Sequence, residues 1–174
     1  SQTQKEVVLS RPPISVDDFQ TAVADIIAKV RNEGDAALFE YGERFDGVEL
    51  ESLEVSQQEW AAAESRVDKS VMQAIDEAIA RIEAFHAVGK PQSVSLETAP
   101  GLQCEARYLP ITPVGLYVPG GSAPLISTVI MLAIPARIAG CEQLVLCSPP
   151  NAKGEIAAEI LVAASRCGVK KVFK

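Results

Sequence analysis

The sequence predicts an α/β protein in which N-terminal helices and a β-hairpin precede a β-α-β-α-β unit with a parallel sheet. Apolar residues recur at helical spacing up to about residue 90, after which the period falls to two. Beyond Pro113, short apolar strands alternate with helical segments. A chain of 174 residues with 48% hydrophobic residues is long and apolar enough to bury a core.

Two helices that pair with each other are predicted at the N-terminus. Ser15 is placed to cap the first helix and Gly34 to end it, while Asp46-Gly47 ends the second helix as a turn. The first helix carries its apolar residues at Val16, Phe19, Val23, Ile26, Ile27 and Val30. The second carries them at Ala37, Leu38, Tyr41 and Phe45.

Two more helices and a hairpin are predicted next. The third helix starts at a capping box formed by Ser56 and Glu59, just before Trp60. The fourth helix has apolar residues at Val71, Ile75, Ile79, Ile82 and Phe85. Period-two alternation then runs through residues 93–98 and 102–108 around a turn at Pro100-Gly101, which indicates a hairpin with one face toward solvent and one apolar face.

Residues 114–174 predict a Rossmann-like half with parallel strands. The strands are expected at residues 114–118, 143–147 and 169–173, with helices between them and both sheet faces covered. Residues 1–113 are therefore interpreted as part of a first domain and residues 114–174 as an incomplete Rossmann-like domain. Three strands leave an open edge and uncovered apolar surface, so we expect the chain to be a fragment of a longer protein.

Composition argues against several classes of partner. The net charge of -7 and the lack of a Lys/Arg run disfavour nucleic acid. The longest apolar stretch, residues 124–139, is short for a membrane span and contains Pro135 and Arg137. The cytoplasm is the default compartment, and the cysteines, which lack metal or redox spacing, are expected to be reduced: Cys104, Cys141, Cys147 and Cys167.

The candidate site lies at the end of the first parallel strand. The loop 119–124 joins this strand to a helix start, where free amides favour an anion, but the residues alone favour a tight structural turn at Gly120 and Gly121 over an anion site. Tyr117 either contacts a ligand above the sheet or packs in the core. The residues alone do not settle the choice between a turn and an anion site for the loop, or between ligand contact and core packing for Tyr117.

Other chemistry has little support in the residues. His86 is the single histidine and has no neighbours at metal-ligand spacing, so this chain is not expected to build a zinc site alone. Ser122, Ser127 and Thr128 lack a nearby histidine, and we interpret them as caps of the following helix. The scattered carboxylates near helix ends are expected to be solvated: Asp35, Glu40, Glu43 and Asp46.

Several segments of the chain closely resemble histidinol dehydrogenase. The main run is Val114-Gly-Leu-Tyr-Val-Pro-Gly-Gly-Ser-Ala-Pro-Leu125, continued by Ser127-Thr-Val-Ile-Met-Leu132, Pro135-Ala-Arg-Ile-Ala-Gly140 and Val145-Leu-Cys-Ser-Pro-Pro150. Upstream, the likeness extends through Arg11-Pro12, Gly34-Asp-Ala-Ala-Leu38, Phe45-Asp46 and Ile82-Glu-Ala-Phe-His86. Members of the family are more than twice as long, so the resemblance identifies the chain as an N-terminal part.

The resemblance implies a cytoplasmic, zinc-dependent homodimer. Such enzymes oxidise L-histidinol through L-histidinal to L-histidine, with two hydride transfers to NAD. It also implies that Tyr117 contacts NAD, with Gly120 and Gly121 beside it, whereas the acid-base pair and the zinc ligands belong downstream. We therefore expect no catalysis and no tight binding of NAD or zinc by this chain alone.

Two further functions remain compatible with the residues. In one, the chain is a non-catalytic nucleotide- or ligand-binding module that assembles with a partner chain. In the other, it is a nucleotide-binding subunit that meets a catalytic partner in trans.

Overall fold

The computed structural model describes residues 5, 9–10, 17–121 and 123–174, and these fall into two compact units divided between Tyr41 and Gly42. The first unit contains the helices α1 (Asp17–Glu33) and α2 (Asp35–Tyr41). The second contains, in order, a π-helical turn (Gly42–Asp46), α3 (Gln57–Arg66), α4 (Lys69–Val88), β1 (Val94–Ala99), β2 (Leu102–Ala106), β3 (Val114–Tyr117), α5 (Ile126–Ala139), β4 (Leu144–Cys147), α6 (Ala158–Arg166) and β5 (Lys171–Phe173).

The two helices of the first unit contact each other, which confirms the predicted pair. Gly34 separates them with a φ of +62°, a left-handed conformation that glycine adopts without strain. Lys29 of α1 forms an ion pair with Glu40 of α2. The predicted cap, Ser15, lies outside the described residues.

The helices α3 and α4 start as the sequence predicts. Ser56 Oγ accepts a hydrogen bond from the Glu59 amide at 3.2 Å, and Glu59 Oε2 accepts one from the Ser56 amide at 2.8 Å. This reciprocal pair is the predicted capping box, and it satisfies two amides that would otherwise lack acceptors.

The predicted hairpin is present, but the prediction that only one of its faces is toward solvent is wrong. The strands β1 and β2 pair antiparallel, with Val94 opposite Ala106, around Gly101 at a φ of +80°. Every residue of both strands is exposed, including Leu96 and Leu102. Alternation marks which side chains share a face, but a second layer must cover that face before it is buried.

The parallel sheet has the strand order β3-β4-β5 and forms the centre of the second unit. The register aligns Leu116 with Leu146 and Leu146 with Val172, and all three side chains are buried. They belong to one hydrophobic core with the buried residues of α5 and α6. Gly140, with a φ of +92°, ends α5 in the left-handed cap typical of helix C-termini.

The prediction that the sheet is covered on both faces is wrong for the described residues. The register also aligns Tyr117 with Cys147 and Cys147 with Phe173, one position along from the buried row and therefore on the opposite face. On this face Tyr117 is 64% exposed and Cys147 is exposed as well. Right-handed crossovers between strands taken in sequential order put both helices on the same side, and α5 and α6 do contact each other.

One edge of the sheet is closed by a segment that the sequence analysis did not identify. The Val55 amide donates to the Val172 carbonyl at 2.9 Å, and the Lys174 amide donates to the Leu53 carbonyl at 2.8 Å. Residues 53–55 therefore lie antiparallel beside β5. The predicted open edge is found only at β3 among the described strands.

An outer layer of helices covers α5 and α6. The helix α3 packs on α6, and α4 packs on α5. Arg166 at the end of α6 forms ion pairs with Glu64 of α3 and Asp76 of α4, while Arg137 of α5 pairs with Glu83 of α4 at 2.9 Å.

The predicted division at residues 113 and 114 stays a prediction about the domains of the full-length protein. None of the described helices is both long and apolar enough to cross a membrane.

The ion pair between Glu59 and Lys174 makes the stability of the second unit depend on pH. Partial burial alone would raise the pKa of Glu59, but hydrogen bonds from Lys174, at 2.7 Å, and from Ser56 outweigh it and hold the pKa below 4.5. A carboxylate with a depressed pKa stabilises the folded state above the unfolded-state pKa, and this contribution is lost as the pH falls through 4.5 and below.

We therefore predict that Glu59→Gln lowers the free energy of unfolding at pH 7 by up to about 1 kcal/mol. The difference from the native chain should shrink below pH 4.5, as measured by urea denaturation followed through the fluorescence of Trp60. Glu51→Gln, at an exposed carboxylate, is the matched control and should change little. A difference that stays constant across the acid range would contradict the proposed linkage.

Candidate functional site

A cleft of about 210 Å³ lies beyond the carboxyl ends of β3 and β4. It is lined by the loop after β3 (119–121 and 123–125), the loop after β4 (148–151), Glu155, and Ala157 and Ile160 at the start of α6. In open parallel sheets, ligands bind at this edge, because loops and helix starts from neighbouring strands converge there. Gly120 and Gly121, singled out in the sequence, both line the cleft.

Gly120 has a clear structural reason to be glycine. A Cβ at this position would lie 2.7 Å from Pro149 Cγ, closer than side chains approach each other in proteins. At Gly121 the nearest atom, Ala123 O, would be 3.8 Å away, which is ordinary contact. The tight turn therefore brings the loops after β3 and β4 together, and it also forms one wall of the cleft.

Both helices that begin at the cleft lack a side-chain cap. The N-cap residues are Leu125 for α5 and Ala157 for α6, and neither side chain can accept a hydrogen bond. The prediction that Ser127 and Thr128 cap α5 is wrong, because both lie inside its first turn, and Ser122 lies outside the described residues. The helix starts thus leave amides available to an acceptor in the cleft.

Polar residues after β4 shape the other wall. Ser148 is only 6% exposed. Asn151 Oδ1 accepts hydrogen bonds from the amides of Lys153 at 2.8 Å and Glu155 at 3.2 Å, which folds the loop back toward α6. The Glu155 carboxylate pairs with Arg66 at 3.1 Å. The sequence does not single out Ser148 as a site residue. Its position directly after a parallel strand is the feature that could have predicted its place in the cleft.

Tyr117 lies outside the cleft, on the uncovered face of the sheet at the end of β3. Its exposure shows that it is not packed in the core of the described structure. Core packing, one of the two alternatives that the sequence left open for this residue, is therefore not observed. The neighbour of Tyr117 in register is Cys147, whose side chain is exposed but still partly desolvated, and this partial desolvation raises the pKa of its thiol. Burial also raises the pKa of Cys167, beneath the sheet, to about 11, which keeps that thiol protonated and unreactive.

The described residues do not provide a metal site. Within residues 5, 9–10, 17–121 and 123–174, no three His, Cys, Asp or Glu side chains come together as ligands. His86 lies near the end of α4 against the Phe85 ring. The predicted solvated carboxylates are exposed, as expected: Asp35, Glu40, Glu43 and Asp46.

A parallel β-α-β-α-β sheet with a cleft beyond its strand ends is typical of the mononucleotide-binding halves of doubly wound α/β proteins. Comparison with protein families narrows this class. The family model described as histidinol dehydrogenase matches residues 9–174, and the chain belongs to that family. The resemblance found in the sequence motifs is thereby confirmed.

Individual relatives support the same assignment. Histidinol dehydrogenase of Vibrio vulnificus is 50% identical over 174 residues, and that of Xanthomonas euvesicatoria is 52% identical over 167 residues. A crystal structure of histidinol dehydrogenase from Elizabethkingia anophelis matches all of the chain with a TM-score of 0.89 at 39% identity. The chain spans 39% of the length of the two sequence relatives and 40% of the crystallised chain.

We predict that Gly120→Ala destabilises the second unit by about 1–3 kcal/mol, because the added methyl group forces Pro149 and its loop to move. Gly121→Ala, one residue away in the same turn and without a close neighbour, is the matched control and should cost less than about 1 kcal/mol. Chemical denaturation of the two variants measures both values. Equal costs would show that the approach of Gly120 to Pro149 does not constrain the loop.

Proposed function

We propose that the full-length protein is an NAD-dependent histidinol dehydrogenase. It oxidises L-histidinol through L-histidinal to L-histidine, acts in the cytoplasm as a zinc-dependent homodimer, and uses this chain as part of its cofactor-binding side. Membership of the family supports the reaction, and relatives about half identical to the chain carry the same enzyme name. The observation that supports a cofactor role is the exposed Tyr117 at the carboxyl end of β3, beside a glycine-walled cleft.

The residues of this chain would bind and orient NAD, which when bound would supply the hydride acceptor for both oxidations. The Tyr117 ring offers a flat surface for stacking and a hydroxyl for hydrogen bonding, both on the uncovered sheet face. The turn at Gly120 and Gly121 allows the backbone to approach a ligand where side chains would obstruct it. Orientation of this kind accelerates hydride transfer because it fixes the reacting atoms in a productive geometry.

Zinc and proton transfer are assigned to other parts of the full-length protein. The described residues bring together no set of metal ligands, and His86 is the only histidine in the sequence. We propose that the groups that bind zinc and remove the protons of the alcohol come from outside this chain. The second unit, residues 42–174, then supplies cofactor contacts and the packed helices that hold the sheet in place.

In the full-length protein, Tyr117→Ala should raise the KM and Kd for NAD about tenfold, or by about 1.4 kcal/mol, because a stacking surface and a hydroxyl are lost together. Tyr117→Phe should have a smaller effect if stacking is the main contact. Tyr108→Ala is the matched control, since Tyr108 is 62% exposed but follows the hairpin.

Steady-state kinetics with L-histidinol and NAD titrations measure these effects. An unchanged KM for NAD in Tyr117→Ala would remove this residue from the cofactor site. A full-length protein that fails to reduce NAD with L-histidinol would overturn the proposed function itself.

A further inference from the structure

Glu155 is the one charged side chain on the described walls of the cleft. Every other described residue of these walls is a glycine, a proline, a serine, an asparagine or a small aliphatic residue. A carboxylate accepts hydrogen bonds and repels anions. In these surroundings it can therefore discriminate between two ligands that differ in a hydroxyl and a negative charge.

A closed turn returns Glu155 to the carboxyl edge of the sheet after the chain has left β4. The Asn151 amide donates to the Glu155 carbonyl at 2.9 Å, and Asn151 Oδ1 accepts from the Glu155 amide at 3.2 Å. The Gly154 amide donates to the Asn151 carbonyl at 2.9 Å, with Gly154 at a φ of +75°, which glycine adopts without strain. These bonds fix the backbone of Glu155 beside the start of its loop.

Arg66 of α3 holds one oxygen of the Glu155 carboxylate. Arg66 Nη2 donates to Glu155 Oε2 at 3.1 Å. The other oxygen, Oε1, accepts no hydrogen bond from any residue that the structure describes. Arg66 does not line the cleft, so the ion pair orients the carboxylate and leaves Oε1 for a hydroxyl group of a ligand.

We propose that Glu155 selects NAD over NADP by accepting a hydrogen bond from the 2′-hydroxyl of the adenosine ribose. The inference rests on the proposed function, because it names the group of NAD that one residue of the site recognises. In dinucleotide-binding βαβ units, an acidic side chain in the second half of the unit commonly binds this hydroxyl.

The position of Glu155 and the chemistry of the two dinucleotides agree with this role. The segments β3, α5 and β4 form a parallel βαβ unit, and Glu155 follows its second strand. NADP carries a phosphate on the same 2′ oxygen. That phosphate removes the hydroxyl that Glu155 would bind and brings a second negative charge toward the carboxylate.

The first test titrates the full-length protein with NAD and with NADP. Glu155→Gln keeps the size of the side chain but removes its charge, so the ratio of the Kd for NADP to the Kd for NAD should fall about tenfold or more. Glu159→Gln removes the same charge in the first turn of α6, away from the cleft wall, and is the matched control. An unchanged ratio in Glu155→Gln, or an equal fall in both variants, would contradict the inference.

The second test addresses the hydroxyl itself, with a form of NAD that lacks the 2′-hydroxyl of the adenosine ribose. The native protein should bind this ligand about tenfold more weakly than NAD, because a hydrogen bond to a charged group is lost. Glu155→Ala should bind the two ligands equally, since its acceptor is gone. The exposed pair with Arg66 contributes little to folding, so Glu155→Ala should unfold near the native midpoint. A native preference for NAD that persists in Glu155→Ala would overturn the inference.

The outcomes separate this inference from the proposed function. Oxidation of L-histidinol with a preference for NAD that is indifferent to Glu155 would leave the function standing and overturn the role of this residue. A preference for NAD that depends on Glu155, in a protein that does not oxidise L-histidinol, would support the role and overturn the function.

Discussion

The parallel register of β3, β4 and β5 is the constraint on which the rest of the second unit depends. It aligns Leu116, Leu146 and Val172 in one row, and their burial under α5 and α6 fixes which face of each strand is covered. Because side chains alternate along a strand, the same register places Tyr117 and Cys147 together on the other face. A shift by one residue would exchange the two rows, so the position of the core and the exposure of Tyr117 have one cause.

The sheet is held by segments that precede it within the second unit. Residues 53–55 close the edge beside β5, and α3 and α4 cover α6 and α5 from outside. The capping box at Ser56 and Glu59 extends through an ion pair to Lys174, directly after β5. The helices α3 and α4 are thus part of the same compact unit as the sheet. The loops that line the cleft therefore rest on a layered support of a sheet and two layers of helices.

Much of this architecture follows from local patterns. Helical periodicity, the Ser56 capping box, the Gly34 and Gly140 ends and the strand-helix alternation after Pro113 are all found where the sequence predicts them. These features depend on residues close together in sequence, and local sequence encodes them directly. The candidate turn at Gly120 and Gly121 is predictable for the same reason, since it joins a strand to a helix.

The remaining features depend on contacts between distant residues. Residues 53–55 are too few to show a strand pattern, and only their pairing with β5 makes them an edge. The apolar alternation of the hairpin shows which side chains share a face, but it does not show whether another layer covers that face, and Leu96 and Leu102 are exposed. The second wall of the cleft is missed for a similar reason, because Ser148 and Ala157 join the site only when the loop after β4 and the start of α6 meet the loop after β3.

Amide hydrogen exchange of the full-length protein, measured by mass spectrometry with and without NAD, tests the central claim most directly. If the carboxyl edge of this sheet holds the cofactor, NAD should slow exchange in residues 117–127 and 147–159, while the hairpin of residues 94–106 stays unchanged. Binding of NAD that leaves both segments at their original rates and protects only other parts of the protein would contradict the account.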